Sequence, residues 1–247
     1  MLNTFFKSEF ASARTDLIVT TDTLDALMPY SPYGVWDFGG SDASLNSLMG
    51  AGVLTPLSPT DVTYQAKSLT VKADIGKGID IGIPDTSDFT LLLAIEITAG
   101  NLRVLAGNPS TSGKSEFVLL RDNASITFIT KNPSGTSGNT PISSSVGTTV
   151  GTYALVAVSF NKTVNRVLTN GKAGGVSFSN THTLAGTYAK SGSNLALGNI
   201  GSTFGAAANL DVRITSLTAY NKALTASELQ IAVDAAIARE ATRGITI

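Results

Sequence analysis

The chain has 247 residues, 43% of them hydrophobic and only 14% charged, with 31 Thr, 26 Ser and 24 Gly in place of the missing charges and a formal net charge of −1. That balance removes the electrostatic pull toward phosphate backbones, so no nucleic-acid partner is expected. The absence of cysteine excludes disulfides, thiolate nucleophiles and Cys-held zinc or iron–sulfur sites, and a single histidine excludes His-rich zinc centres.

At the N-terminus, Leu2, Phe5, Phe6 and Phe10 recur at spacings of three and four and predict one apolar face of a short helix. Leu24, Ala26, Leu27 and Met28 form a second apolar patch ahead of Pro29-Tyr30-Ser31-Pro32. Residues 1–32 are read as an N-terminal extension, either packed on its own domain or serving as an assembly arm on another subunit. Met1 to Lys7 lack the basic region and long apolar core of a secretory signal, and no stretch reaches 18 consecutive apolar residues. Synthesis in a reducing cytoplasm, without membrane insertion, is therefore the expectation.

From Tyr33 to Ile247 one domain is expected. Lys67 to Ala73 and Gly78 to Ile83 alternate as short strands. In the run Phe89 to Ile97, residues Phe89, Leu91, Leu93, Ile95 and Ile97 point one way and Thr90, Leu92, Ala94 and Glu96 the other. The second face is mixed, so cover on both sides is predicted for part of this strand. Leu102 to Ala106, Glu116 to Arg121 and Ser125 to Thr130 follow, separated by turn-rich stretches at Gly107–Gly113 and Asn132–Asn139. Tyr153 to Phe160 has the composition of a central strand. Val164 to Thr169 and Lys172 to Phe178 flank Asn170-Gly171, a type I′ hairpin signal. Leu195 to Leu197 and Leu210 to Tyr220 complete about eleven strands without βαβ alternation, which predicts an all-β, antiparallel two-sheet sandwich. A C-terminal helix closes the chain. Thr225-Ala226-Ser227-Glu228 is a capping box, and Leu229, Ala232, Val233, Ala236 and Ile237 form one apolar stripe. Arg239 and Arg243 are expected to complement the helix dipole, and Gly244 to stop it.

Leu195-Ala196-Leu197-Gly198-Asn199 and the later run from Leu210 to Leu229, with Tyr220-Asn221-Lys222-Ala223-Leu224-Thr225-Ala226-Ser227-Glu228-Leu229 at its end, resemble the close of laminin-G-like, or concanavalin A-like, jelly-roll domains. The segment from Tyr153 to Lys172 is similar to the family's central hairpin, and Trp36-Asp37-Phe38 to its entry segment. The resemblance spans about residues 33–240 and implies a concanavalin A-like jelly roll. Relatives of this kind include lectins, glycan hydrolases, adhesion modules and bacteriophage virion proteins; the cysteine-free, Ser/Thr/Gly-rich composition is most similar to the phage members. The resemblance thus implies a non-enzymatic virion structural protein, in the capsid decoration, collar or tail. It would assemble as a homo-oligomer, a trimer by analogy, with other virion proteins and a host-surface glycan as partners. A free-standing carbohydrate-binding module and a divergent glycan hydrolase are the alternatives.

Chemistry supports no catalytic, cofactor or metal assignment. Glucanases of this fold carry Glu-x-Asp-x-Glu, whereas Gly78-Ile79-Asp80-Ile81-Gly82 has glycine at both glutamate positions, and two carboxylates are what glycoside hydrolysis requires. Of five glutamates, Glu228 caps the helix; Glu96 and Glu116 would make a catalytic pair only on neighbouring strands, and otherwise meet Arg103, Arg121 or a lysine. His182 lacks a Gly-x-Ser-x-Gly elbow elsewhere in the chain to serve. Asp122-Asn123 and Asn209 with Asp211 are the nearest calcium-type oxygen donors, although such residues commonly bond the backbone of turns. Tyr188, Trp36, Tyr33 and Phe204 are candidate sugar-stacking platforms.

Overall fold

Alternating side chains along short strands must bury one face against another layer, and here the main layer is a second sheet. The computed structural model describes residues 28–50, 52–100, 102–109, 112–122, 125–132, 137–143 (backbone only), 149–184, 186–201 and 210–247. The expected helix at Leu2 to Phe10 lies outside the described residues.

One antiparallel sheet runs in the order β14 (Val176–Thr183), β13 (Arg166–Ala173), β12 (Tyr153–Asn161), β7 (Phe89–Glu96), β16 (Val212–Tyr220), β1 (Gly34–Asp37) and β2 (Met49–Gly50). At its flank β5 (Leu69–Val71) also pairs with β16, and β4 (Val62–Tyr64) pairs with β5. The second sheet runs β11 (Ser137–Ser143), β10 (Ser125–Lys131), β9 (Glu116–Asp122), β8 (Arg103–Gly107), β15 (Asn194–Leu197), β6 (Ile79–Pro84) and β3 (Thr55–Pro56). The strands beyond those expected are mostly β1 to β4, two to four residues each, too short for alternation to show. Strand β11 begins inside a stretch read as turn, where pairing with β10 overrides local composition.

The mixed faces of β7 are resolved as anticipated. Phe89, Leu91, Leu93, Ile95 and Ile97 lie in the core between the sheets, whereas Leu92 and Ala94 belong to a second core on the outer side. A relay of rings joins the sheets at one end: Phe89 to Phe117 at 4.9 Å, Phe117 to Phe128 at 5.4 Å, Phe128 to Phe160 at 5.5 Å and Phe160 to Tyr188 at 5.0 Å between centroids.

The Asn170-Gly171 hairpin is corrected: both residues lie inside β13. The chain reverses at Gly174-Gly175, which supply φ of 55° and 80°. Asn170 instead donates to Gln230 on the helix at 2.8 Å. Gly171 lies under the Phe178 ring, where an added Cβ would come within 2.5 Å of the ring and 2.1 Å of the Leu155 carbonyl oxygen.

Helix α1 (Ala226–Thr242) supplies the third layer. Its capping box forms as the sequence predicts, and Gly244, at φ 69°, ends it. Leu229, Ala232, Val233 and Ala236 are buried against Leu92, Ala94, Leu155, Ala157 and Tyr220. Met28 and Tyr30, from the stretch read as an extension, pack in this layer too, and the Tyr220 hydroxyl donates to the Pro29 carbonyl at 3.0 Å. Arg239 and Arg243 do not lie at the surface beside the helix end. Arg239 Nε sits 3.1 Å from Asp37 Oδ1, Arg243 Nη1 sits 3.5 Å from the same oxygen, and all three side chains are at most 5% exposed. Arg243 also pairs with Glu240 at 3.0 Å and donates to the carbonyls of Thr215 and Phe38. The Thr215 carbonyl accepts from the Phe38 amide at 2.8 Å as well, so it serves both β1 and the helix end. Burial pushes the Glu240 carboxyl above its ordinary value, against the pull of Arg243.

Candidate functional site

The outer face of the first sheet is divided. Helix α1 covers the part made by β12, β7 and the end of β16; among the described residues, the part formed by the start of β16 with β5 and β4 stays open. Register explains the composition of the open part. Tyr153 is the Cα partner of Glu96, Glu96 of Arg213, Arg213 of Thr70, and Thr70 of Thr63. Their strand neighbours Ile95, Val212, Ile214, Leu69, Val71 and Val62 turn into the intersheet core, so these five side chains form one outward row. With strands about 4.8 Å apart, the row is roughly 19 Å long.

The row leads into an open groove of about 560 Å³ at the end of the sandwich. Thr63, Gln65, Thr70 and Lys72 line one wall, Thr98 and Arg103 another, and Leu210, Asp211 and Arg213 the third. Small-molecule sites occupy some 300–1,000 Å³. Two other hollows, of about 10 and 60 Å³, hold no more than a few waters.

Each polar group in the groove has a defined posture. Glu96 accepts from Arg213 Nη1 at 2.8 Å, with the Arg213 side chain 42% exposed. Asp211 accepts from the Ala73 amide at 2.9 Å and from Lys72 at 3.3 Å. Gln65 Oε1 accepts from Thr70 at 3.0 Å and Ser68 at 3.2 Å, which aims its amide nitrogen elsewhere. Tyr153 is half-buried against the helix layer. Burial, then the Glu96 and Glu240 carboxylates, push its phenol above the ordinary value, so it remains a hydrogen-bond donor at neutral pH. The row thus presents an aromatic ring, a carboxylate, a guanidinium and the exposed Thr63 hydroxyl, while the buried Thr70 hydroxyl is held by Gln65.

The residues weighed for catalysis or metal binding, to none of which the sequence assigns a chemical role, are placed as follows. Glu96 and Glu116 lie on different sheets; Glu96 meets Arg213 and not Arg103, Arg121 or a lysine, whereas Glu116 lies 3.9 Å from Lys131. His182 is on β14, opposite Val167. Asp211 is committed to Ala73 and Lys72, and Asn123 and Asn209 lie outside the described residues. Among the described residues no group of three or more His, Asp or Glu side chains is placed to hold a metal ion.

Of the candidate stacking platforms, the described ones pack inward. Trp36 is fully buried and donates from Nε1 to Leu45 at 3.0 Å; Tyr33 packs on the core with its hydroxyl toward Gly82 at 3.4 Å. Tyr188 is buried, donating to Asp85 at 3.0 Å within a closed network where Lys162 Nζ meets Asp85 at 2.7 Å, both side chains 0% exposed. Phe204 lies outside the described residues. Sequence reasoning missed Tyr153, Arg213, Thr70 and Thr63 as a set. Each stands at an outward position of a predicted or short strand, but only register makes them neighbours.

The fold and groove together define a three-layer jelly roll with a ligand-sized polar surface on its helix side. The chain belongs to the concanavalin A-like lectin/glucanases superfamily, whose laminin G-type profile matches residues 75–230. It is similar in structure to the binding domain of botulinum neurotoxin serotype D, at 12% identity and TM-score 0.57, over 85% of this chain and 52% of that one. The binding domain of Paraclostridial Mosquitocidal Protein 1 aligns at 13% identity and TM-score 0.55, over 82% and 52%. A Trypanosoma rangeli sialidase aligns at 14% identity and TM-score 0.52, over 82% and 32%. The chain thus spans about half the length of the two binding domains. No curated protein sequence matches it.

Proposed function

We propose that the protein is a non-enzymatic, lectin-like module that binds a glycan along the row from Tyr153 to Thr63 and in the groove beyond it. The observation that carries this reading is the register, which aligns Tyr153, Glu96, Arg213, Thr70 and Thr63 across five strands. Glu96 would accept from sugar hydroxyls, Arg213 and Gln65 would donate to ring and hydroxyl oxygens, and Tyr153 would lie against an apolar sugar face. Structural neighbours described as binding domains are consistent with it, one of them in complex with N-acetylneuraminic acid. Supporting the absence of catalysis, Glu96 and Glu116 lie on different sheets, and glycine fills both glutamate positions around Asp80.

The setting we propose is the bacteriophage virion, where a homo-oligomer, trimeric by analogy, would decorate the particle and aid attachment to host-surface glycans. Its support is the cysteine-free, Ser/Thr-rich composition. A glycan array on the full chain should show saturable binding to one sugar class that Tyr153→Ala and Glu96→Ala each weaken at least tenfold; binding unaffected by either removes the row from the site. Mass spectrometry of purified particles should find the protein; its absence there ends the virion reading and leaves the free-standing module.

A further inference from the structure

The groove carries more positive charge than the chain as a whole. Lys72, Arg103 and Arg213 line it, and Arg121, the cross-strand partner of Arg103, stands behind it; the acids in this set are Glu96 and Asp211. That local excess sits in a protein of net charge −1. Two of the cations are deeply buried, Arg103 at 3% and Arg121 at 2% exposure. Arg103 is tied to the carbonyls of Asp211, Gly100 and Ala99. Arg121 donates to the Thr98 carbonyl at 3.3 Å, and its Nε is buried without a partner. The Thr98 hydroxyl, on a residue lining the groove, is likewise buried and unpartnered. Hydrogen-bonding groups are normally satisfied when buried, so the Arg121 Nε and the Thr98 hydroxyl are donors short of an acceptor. Burial, then the neighbouring Arg121, hold the Arg103 guanidinium below its ordinary value, with Asp211 opposing; a bound anion would offset the Arg121 part. Arg213 uses one N–H on Glu96, and Lys72 uses one on Asp211, which leaves donors on both.

Resting on the glycan-binding reading above, we infer that the glycan is acidic: a sugar whose carboxylate or sulfate enters the groove between Lys72 and Arg213 above Thr98, with Arg103 and Arg121 supplying field from behind. The row then carries the rest of the saccharide toward Tyr153.

The test is calorimetric titration of the full chain with a uronic-acid disaccharide, the matched neutral disaccharide, and sodium sulfate. The acidic sugar should bind at least tenfold tighter than the neutral one, with affinity falling as salt rises. Arg213→Gln and Lys72→Gln, each at a side chain 42% exposed, should bring the acidic-to-neutral ratio toward one, with an unchanged melting temperature confirming the fold. Equal or tighter binding of the neutral sugar, or a ratio unmoved by both substitutions, overturns the acidic specificity while the glycan reading stands. Sulfate binding as tightly as the acidic sugar overturns it in favour of a simple anion site. If none of a panel of neutral and acidic glycans binds, both readings fall.

Discussion

The two parts of the first sheet's outer face use the same strands for opposite ends. Under α1, strands β7, β12 and β16 present Leu92, Ala94, Leu155, Ala157 and Tyr220, and the charges that enter, Asp37, Arg239, Arg243 and Glu240, are buried together. A few residues further along the same strands stand Tyr153, packed on the edge of the helix layer, and the Glu96–Arg213 pair, whose side chains are 16% and 42% exposed. A charge in the first region has traded its hydration for fixed partners and is committed to holding the helix. A charge in the second keeps water on one side and can exchange it for a ligand.

This contrast can be broken most sharply at Asp37. Asp37→Ala leaves two buried guanidinium groups short of their shared carboxylate and should lower unfolding free energy by about 3–5 kcal/mol in urea titrations. A loss near zero would mean that the buried cluster does not hold the helix. Leu155→Ala, between sheet and helix, should cost about 2–5 kcal/mol by the same measurement. Thr225→Ala removes the helix cap and should cost about 1 kcal/mol.

Acid sharpens that last value. Hydrogen bonds from the Thr225 backbone and hydroxyl hold the Glu228 carboxyl below its ordinary value of 4.5, so it is more acidic folded than unfolded. Its stabilisation is complete above pH 4.5 and fades as pH falls through the lowered value. The gap between wild type and Thr225→Ala should therefore narrow below pH 4.5 in urea unfolding at stepped pH. The smallest stability effect belongs to the open region: Glu96→Ala should cost less than about 1 kcal/mol, since its partner Arg213 is 42% exposed. A loss comparable to that at Asp37 would show the row to be part of the scaffold.

Much of this architecture is legible in the chain. Alternation from Phe89 to Ile97 predicts which side chains enter which layer, because successive strand residues must point to opposite faces. The stripe from Leu229 to Ile237 predicts the helix and its buried side, and Thr225 with Glu228 its start. Arg239 and Arg243 were less legible. Their spacing from the helix end describes an exposed dipole partner equally well, and only the approach of Asp37 from β1, two hundred residues away in sequence, buries them. Asn170-Gly171 misleads for a related reason: the pair suits a tight turn, yet a Gly-Gly pair four residues later meets the same backbone demand, and Phe178 needs the space above Gly171.

By itself, then, the sequence determines the two-sheet sandwich, the capped helix and the absence of cysteine chemistry, since these depend on residue types and on periods of two and 3.6 within one segment. Only the tertiary structure decides that Tyr153, Glu96, Arg213, Thr70 and Thr63 stand in line. A strand's pattern shows which face a residue takes but not which strand lies beside it or in what register. The row draws on segments up to 150 residues apart, brought together by backbone pairing that leaves no mark in any one of them.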